Sequence, residues 1–484
     1  ELISTGGTKK ALVEAGLTVL GIEEVTGFPE MLDGRVKTLH PMVHGGLLFK
    51  RNDPSHVESV KQAHIQPIDV VIVNLYPFQK TIEKKDSTLE EAIENIDIGG
   101  PSMLRSAAKN AHDVTVLCDP MDYPQLIEQL KENGSTTLSF RQSMAAKVFR
   151  TTAAYDALIA NYMNQVVGCE MPERLTETYV LKQTLRYGEN PHQKAAFYAS
   201  PFSENNSLAS AQQIHGKELS YNNIQDGSAA LALLSEFDQA AVVALKHMNP
   251  CGVGLSHEIY DSWRKAYEAD TTSIFGGVVA FNRELDLKIA KELSEIFLEI
   301  IIAPSFTQEA LDVLTQKKNI RLLISSTETH RPYTTSTVRI AGGLLVQEID
   351  KISAKVTNLK AVTKKSPTAS QLSDALFGEK VVKHVKSNAI VIVKNGQTCG
   401  IGAGQMNRVG AAEIALKQAG EKAKGASLAS DAFFPMDDTV KLAAFYGIAC
   451  IIQPGGSIKD QDSIVACDEA NIAMVFTGER HFKH

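Results

Sequence analysis

Lys246 and His247 stand side by side where a run of apolar residues ends. An imidazole changes charge near neutrality and can pass a proton at working pH. The ammonium beside it is a compact positive charge with rotatable donors. Before them, Ala241-Val-Val-Ala-Leu245 has the composition of a buried strand. After them, Asn249-Pro250-Cys251-Gly252-Val253-Gly254 reads as a turn rich in Pro and Gly. Ligands of open α/β sheets collect where strands give way to loops. Alone, the pair is more simply a strand whose last residues meet water. A second copy of the pattern alters that reading.

Ala389-Ile-Val-Ile-Val393 is again an apolar strand. Lys394 follows Ala389 at the spacing by which Lys246 follows Ala241, and Cys399 answers Cys251. Each segment closes on Gly-x-Gly, at Gly252 to Gly254 and at Gly400 to Gly402. Upstream lie amphipathic stretches at 228–236 and 371–384. Downstream, Ile274-Phe275-Gly276-Gly277 to Pro304 corresponds to Ala429-Ser430-Asp431-Ala432-Phe433-Phe434 to Pro454. Both pass from a turn of small and aromatic residues through a helix to an apolar strand ending in Pro. A period this long signals duplicated domains rather than a solenoid. The C-terminal part of the chain therefore reads as two copies of one α/β unit sharing a pocket. Only the first copy carries His after its Lys, so the copies differ chemically.

The 484 residues are too many for one core, and two to four domains are expected. With 44% apolar residues, 22% charged and a net charge of −7, the composition is that of a soluble globular protein. The acidic balance argues against a nucleic-acid partner, whose phosphates need a basic face. The six cysteines are scattered without a Cys-x-x-Cys pair, which disfavours a zinc site or a disulfide framework. Neither a membrane span nor a signal peptide is recognisable, so a cytoplasmic protein is expected.

In the N-terminal third, strands, glycine turns and helices alternate, as in a parallel sheet wound by helices. Ser4-Thr5-Gly6-Gly7-Thr8 enters a helix, where N–H groups and hydroxyls could cradle a phosphate; an ordinary glycine turn reads the same. Gly34-Arg35-Val36-Lys37-Thr38-Leu39-His40-Pro41 gathers phosphate-binding donors in a broken loop. Asp69-Val-Val-Ile-Val-Asn74-Leu75-Tyr76 is a buried strand with a polar end. Asp97-Ile98-Gly99-Gly100-Pro101-Ser102 opens a helix that carries Arg105 and Lys109 on one face. Another strand, 114–118, leads into helical residues to about Asn164. Met171-Pro172-Glu173-Arg174 marks a linker. Leu185-Arg186-Tyr187-Gly188-Glu189-Asn190-Pro191-His192 and Ser220-Tyr221-Asn222-Asn223-Ile224-Gln225-Asp226 read as polar loops. Charge and Pro collect at 360–368, between the copies. Arg480, His481, Phe482 and His484 make a tail able to dock into a site.

Several of these segments are specific in combination. Those around Arg35 and Lys37, Asn74 to Phe78, Asp97 to Gly100, Arg186 to His192, Lys246 to Gly252 and Ser430 to Pro435 follow one another in a known order. In that order, and along the whole chain, the sequence resembles the bifunctional purine-biosynthesis family that fuses AICAR formyltransferase to IMP cyclohydrolase. The resemblance implies an α/β protein with a methylglyoxal-synthase-like domain at 1–178, a parallel sheet wound by helices that lacks the family's first strand and helix. A formyltransferase region at 179–484 follows, made of two cytidine-deaminase-like units without zinc at about 179–365 and 366–484.

What the resemblance implies for the sites follows residue by residue. His247 transfers a proton, Lys246 supports an oxyanion or protonates the leaving nitrogen, and Asn388 from the second unit bonds substrate or formyl oxygen. Arg186, Tyr187 and Arg480 hold the nucleotide, with Phe275, Gly276, Glu299 and Phe433 around its ring and Pro435 and Met436 bordering the folate. Ring closure is placed at Lys37, Tyr76, Asp97 and Lys109, with Arg35 and Ser4, Thr5, Gly6, Gly7 and Thr8 toward the phosphate. The co-substrate is 10-formyltetrahydrofolate, the other ligands AICAR, formyl-AICAR and IMP, and the assembly a homodimer. No metal, nucleic acid or membrane is expected; a monovalent cation is left open. Two rivals are a nucleotide-sensing N-terminal domain beside the transferase, and a deaminase, which the missing zinc motif disfavours.

Overall fold

Every residue of Ala240–Leu245 is buried, and the strand Ala240–Lys246 surfaces only at its lysine. Such a run, apolar on both faces, suits the interior of a sheet covered by helices on both sides. In the computed structural model, which describes residues 1–202, 205–327 and 335–484, this strand lies inside a sheet of twelve. The chain divides into two units, Glu1–Tyr179 and Val180–His484, and the large sheet belongs to the second.

From one edge the sheet runs Lys360–Ala361, Ala473–Phe476, Cys450–Gln453, Ser427–Ser430, Ile390–Lys394 and Gln397–Gly402. It continues Asn249–Ser256, Ala240–Lys246, Val278–Phe281, Ile300–Ala303, Arg321–Ile324 and Gln212–His215. The two runs of six mirror each other strand by strand. Each has an antiparallel hairpin at the centre, three mutually parallel strands outward and an antiparallel strand at the rim. At the seam Gly254 pairs antiparallel with Gln397, reinforced by Leu255 N donating to Gly396 O at 2.8 Å and Val253 N to Thr398 Oγ1 at 2.9 Å.

The repeated Gly-x-Gly has a packing cause. A Cβ on Gly252 or Gly254 would collide with the carbonyls of Ala266 or Ser262 in the helix Ile259–Ala269. One on Gly400 or Gly402 would strike Ala415 or Ala411 in the helix Arg408–Ala419. Both helices thus lie on their strands with backbone nearly touching backbone. On the opposite face, the helices Tyr221–Leu234 and Ala369–Val382 pack into one core that runs across the seam, through Leu233, Val243, Val381 and Val391. Each begins with a reciprocal cap, Ser220 with Asn223 and Thr368 with Gln371.

Three expectations are revised. The stretch after Met248 is a returning strand rather than a turn, because its glycines serve the helix contact. Ser220 to Asp226 is a helix start rather than a polar loop, since its polar residues cap the first turn. Part of the linker at 360–368 is the rim strand Lys360–Ala361. The repeated cysteines lie in the core strands, and burial pushes the Cys251 thiol up to about 12, which leaves it protonated and inert.

In the first unit, Ile3–Ser4 pairs in parallel with Leu20–Gly21, and Val70–Ile72 with Thr115–Leu117. Pairing is parallel, yet it falls into two separate two-stranded ladders instead of one sheet. Val71 is buried and Ile72 half exposed, so this strand is only partly interior. The helices Pro41–Leu48, Gly99–Lys109 and Leu138–Val166 enclose the core around Leu47, Leu104 and Val148. No helix among the described residues is long and apolar enough to cross a membrane.

Candidate functional site

The antiparallel seam determines which side chains can meet. Because Asn249–Ser256 runs opposite to Gln397–Gly402, the two halves bring non-equivalent strand ends to the same edge of the sheet. The hairpin end at Lys246–Asn249 lies beside the start of Ile390–Lys394 and the end of Ser427–Ser430. Its counterpart at Lys394–Gln397 lies on the opposite edge. The Lys-His turn of the first hairpin and the Lys-Asn turn of the second therefore face different surroundings.

A direct bond ties the first hairpin to the second half. Asn249 Oδ1 accepts from the backbone N–H of Lys386 at 3.0 Å, two residues before Asn388. Lys246 is half-buried and its Nζ donates to Phe275 O at 2.7 Å. Gly276, with φ of 72°, donates its N–H to Phe297 O at 2.7 Å, while Phe275 packs on Phe297 with ring centroids 5.2 Å apart. Glu299 N donates to Gly277 O, and its carboxylate pairs with Arg321. Lys246, Phe275, Gly276 and Glu299 therefore sit together at the ends of three neighbouring strands. His247 is exposed, at the tip of the turn.

Asn388 is held from three sides. Its Nδ2 donates to Gln405 O at 2.8 Å, its Oδ1 accepts from Arg408 Nη2 at 2.8 Å, and its backbone exchanges bonds with Gln405. Arg408 pairs with Asp431, which is fully buried; burial lowers the Arg408 pKa. Asp431 also accepts from Ser387 Oγ at 2.5 Å and Ala389 N at 3.1 Å. From the same loop Phe433, Pro435 and Met436 emerge exposed.

The C-terminal tail docks onto this cluster. His481 N donates to Asp431 O at 2.9 Å, Ser387 N donates to Lys483 O at 2.8 Å, and Lys483 N donates to Ser387 Oγ at 3.1 Å. The His481 ring is buried between Asp350 at 2.6 Å and Glu379 at 3.0 Å. Burial alone would lower its pKa, but the two carboxylates raise it. Arg480 projects with its guanidinium 4.4 Å from the Phe482 ring. Arg186, exposed, lies 5.6 Å over the Tyr187 ring at the end of the strand Val180–Leu185, and Gln183 ties that strand to Leu219 O at 3.1 Å.

In the first unit, Thr38 Oγ1 occupies the space where a side chain on Gly99 would go, so the Lys37 loop presses on the start of Gly99–Lys109. Asp97 Oδ1 accepts from Gly100 N at 2.8 Å, and Asp97 N donates to the Tyr155 hydroxyl at 2.9 Å. Lys37 Nζ lies 3.9 Å from Glu30, and Arg35 pairs with Glu94. Tyr76 is half-exposed. Lys109 is exposed at the far end of its helix, about 15 Å from the start. The helix Gly6–Glu14 has no side-chain cap at Thr5, which leaves its first N–H groups open beside Ser4, Gly6, Gly7 and Thr8. Among the described residues no three His, Cys, Asp or Glu side chains are grouped as metal ligands would be.

Sequence reasoning missed Arg408 and Asp431 as a pair. The signal was faint: an acidic residue inside Ser430 to Pro435 and a lone arginine opening a helix rich in Ala.

The profile of the AICARFT/IMPCHase bienzyme family matches residues 107–418, and that of the MGS-like domain matches residues 1–102. Proteins named "Bifunctional purine biosynthesis protein PurH" from Anoxybacillus flavithermus and Bacillus cereus are 60% and 59% identical over all 484 residues, covering 95% of each relative. That from Bacillus anthracis is likewise 59% identical over the same span. A family profile over more than half of the chain, together with relatives this similar from end to end, places the chain in the AICARFT/IMPCHase bienzyme family, which joins an AICAR formyltransferase to an IMP cyclohydrolase.

Proposed function

We propose how this bifunctional enzyme divides its two reactions among its residues. In formyl transfer the 5-amino nitrogen of AICAR bonds to the formyl carbon of 10-formyltetrahydrofolate. That amine is conjugated with its ring and carboxamide and is a poor nucleophile, so its proton must leave as attack proceeds. His247 takes the proton. Asn388 donates to the developing oxyanion, and Lys246 supports that oxyanion or returns a proton to the departing folate nitrogen as its bond to the formyl carbon breaks. Arg186, Tyr187 and Arg480 hold the nucleotide, Phe275, Gly276, Glu299 and Phe433 surround its ring, and Pro435 and Met436 border the folate.

The observation that carries this reading is the bond from Lys386 N to Asn249 Oδ1, which sets the Lys246–His247 turn against the segment bearing Asn388. The mirrored strand order supports two copies of one ancestral unit; that they are cytidine-deaminase-like and work without zinc rests on the family resemblance. A transferase region from about 179 and a cyclohydrolase domain before it fit this division, and a homodimer is the assembly that the family resemblance implies.

Ring closure joins the carboxamide nitrogen to the formyl carbon, and water then leaves. Lys37, Tyr76, Asp97 and Lys109 serve that step. Arg35 and the open helix start at Ser4 to Thr8 take the phosphate. Asp97 and Lys109 stand at opposite ends of one helix, so they address different parts of the ligand.

His247→Ala is expected to abolish formyl transfer, read by absorbance with AICAR and 10-formyltetrahydrofolate, by about 100-fold or more. Ring closure of supplied formyl-AICAR should be unchanged. Loss of both activities in a folded variant would refute two separate sites.

A further inference from the structure

The two equivalent hairpins share an unusual backbone and differ in how their residues suit it. In the second half, Asn395 and Gly396 form the two-residue loop with φ of 55° and 69°. Asn-Gly is the ordinary occupant of such a left-handed turn, because Asn tolerates positive φ and Gly adopts it freely. In the first half the same positions hold His247 and Met248, with φ of 52° and 61°. Histidine visits this region at some cost, and a long unbranched side chain such as Met rarely does. Residues kept in such a conformation persist only where their surroundings hold them, and they gather at functional sites.

What holds them is visible on both sides. Asp226 Oδ1, on the helix Tyr221–Leu234, accepts the Met248 N–H at 2.8 Å. In the second half Asp374, at the same place in its own helix, accepts the N–H groups of both Asn395 and Gly396, at 2.9 and 2.8 Å. The grip is thus common to both turns, while the Asn-Gly pair that would make it cheap survives only in the half without the Lys-His pair. Asn249 Nδ2 also donates to His247 O at 3.2 Å, and its Oδ1 holds the second half through Lys386.

We infer that Asp226 is a positioning residue for formyl transfer, which by accepting the Met248 N–H clamps the turn in its left-handed form and so aims the His247 imidazole. Asn249 completes the clamp through the His247 carbonyl. This inference rests on the reading of His247 as the proton-transferring group. The strain at Met248 is then the consequence of replacing a plain Asn-Gly turn by one that must present an imidazole at a fixed point.

The test uses the full chain, with kcat and KM for AICAR in the formyl-transfer assay and thermal unfolding as a check on folding. Asp226→Ala should lower kcat at least tenfold with KM changed less than threefold. Asp226→Asn, whose amide oxygen still accepts the Met248 N–H, should stay within about threefold of the parent. Adding Met248→Gly to Asp226→Ala should restore most of the lost kcat, since Gly holds positive φ without a clamp. If Asp226→Ala fails to fold, the Asn variant decides: a loss of tenfold or more there overturns the inference. Wild-type kcat in Asp226→Ala beside an inactive His247→Ala overturns it too, while leaving the role of His247 standing. An active His247→Ala would instead remove the reading beneath it.

Discussion

At the residue scale, the proposed transferase site rests on a buried ion pair that touches no substrate atom in the proposed chemistry. Asp431 lies under Asn388, receiving the Arg408 guanidinium, the Ser387 hydroxyl and the Ala389 N–H, and its carbonyl receives the tail at His481. Two charges removed from water contribute little net stability, but leaving one unpaired is costly. Asp431→Asn keeps the shape and strips the charge, so Arg408 is stranded. Unfolding stability should fall by about 3 kcal/mol, measured by urea titration. Formyl transfer should fall as well, because Arg408 then loses the partner that orients it toward Asn388. Unchanged stability would mean the pair is not held as described. The sequence points to the surface residues of this proposed site more readily than to those beneath it. Lys246 and His247 stood out because they end an apolar run, and Asn388 came only from the family resemblance, whereas Asp431 and Arg408 pair across a separation that no local pattern reveals.

Among the elements, repeated glycines set the distance between strand and helix. Gly252 and Gly400 occupy equivalent places, and a methyl group on either would meet a helix carbonyl, at Ala266 or Ala415. Overpacking of this kind costs about 1–3 kcal/mol. Gly252→Ala and Gly400→Ala should each lower the melting temperature by several degrees, and by similar amounts, since the contacts match. Their effects on transfer should differ: the first shifts the strand that follows the His247 turn, the second one that carries no side chain of the proposed site. Equal loss of activity in both would argue that the turn is insensitive to its own strand. The Gly-x-Gly repeat was plain in the sequence, but its meaning was not. A glycine needed for close packing and a glycine needed for a turn look alike until the helix is in place, and for that reason Asn249 to Gly254 reads as a turn while folding as a strand. Likewise the polar run from Ser220 to Asp226 reads as a loop; the reciprocal cap of Ser220 and Asn223 turns it into a helix start.

For the large unit as a whole, the two halves are joined by a slender strand seam, a continuous core and a set of buried charges. Glu236, from the first half, receives Lys383 Nζ at 3.1 Å and lies 2.9 Å from His384 Nε2, both from the second. Burial alone would raise the Glu236 pKa; the His384 bond and charge, with Lys383, overcome this and take it down to about 2. Because burial lowers the His384 pKa, that imidazole adds its charge only in the acid range where Glu236 itself titrates. A carboxyl with a depressed folded pKa stabilises the protein above its unfolded value near 4.5 and loses that contribution as pH falls toward 2. Stability should therefore decline through that window by about 3 kcal/mol more in the parent than in Glu236→Gln, which has no charge to lose. Parallel acid-unfolding curves for the two proteins would contradict this. The likeness of the two halves was legible from matched spacings at Lys246 and Lys394, but the antiparallel seam was not, and the seam is what brings the Lys246–His247 turn to the same edge of the sheet as Asn388.

The most direct test of one site assembled from two halves is a double-mutant cycle between His247→Gln and Asn388→Ala, read as kcat/KM for formyl transfer. Groups acting on a single transition state lose far less together than the sum of their separate losses, and a coupling above about 1 kcal/mol is expected. Losses that add to within about 0.5 kcal/mol would show that the two side chains work independently, and a common site formed by the two halves would have to be abandoned.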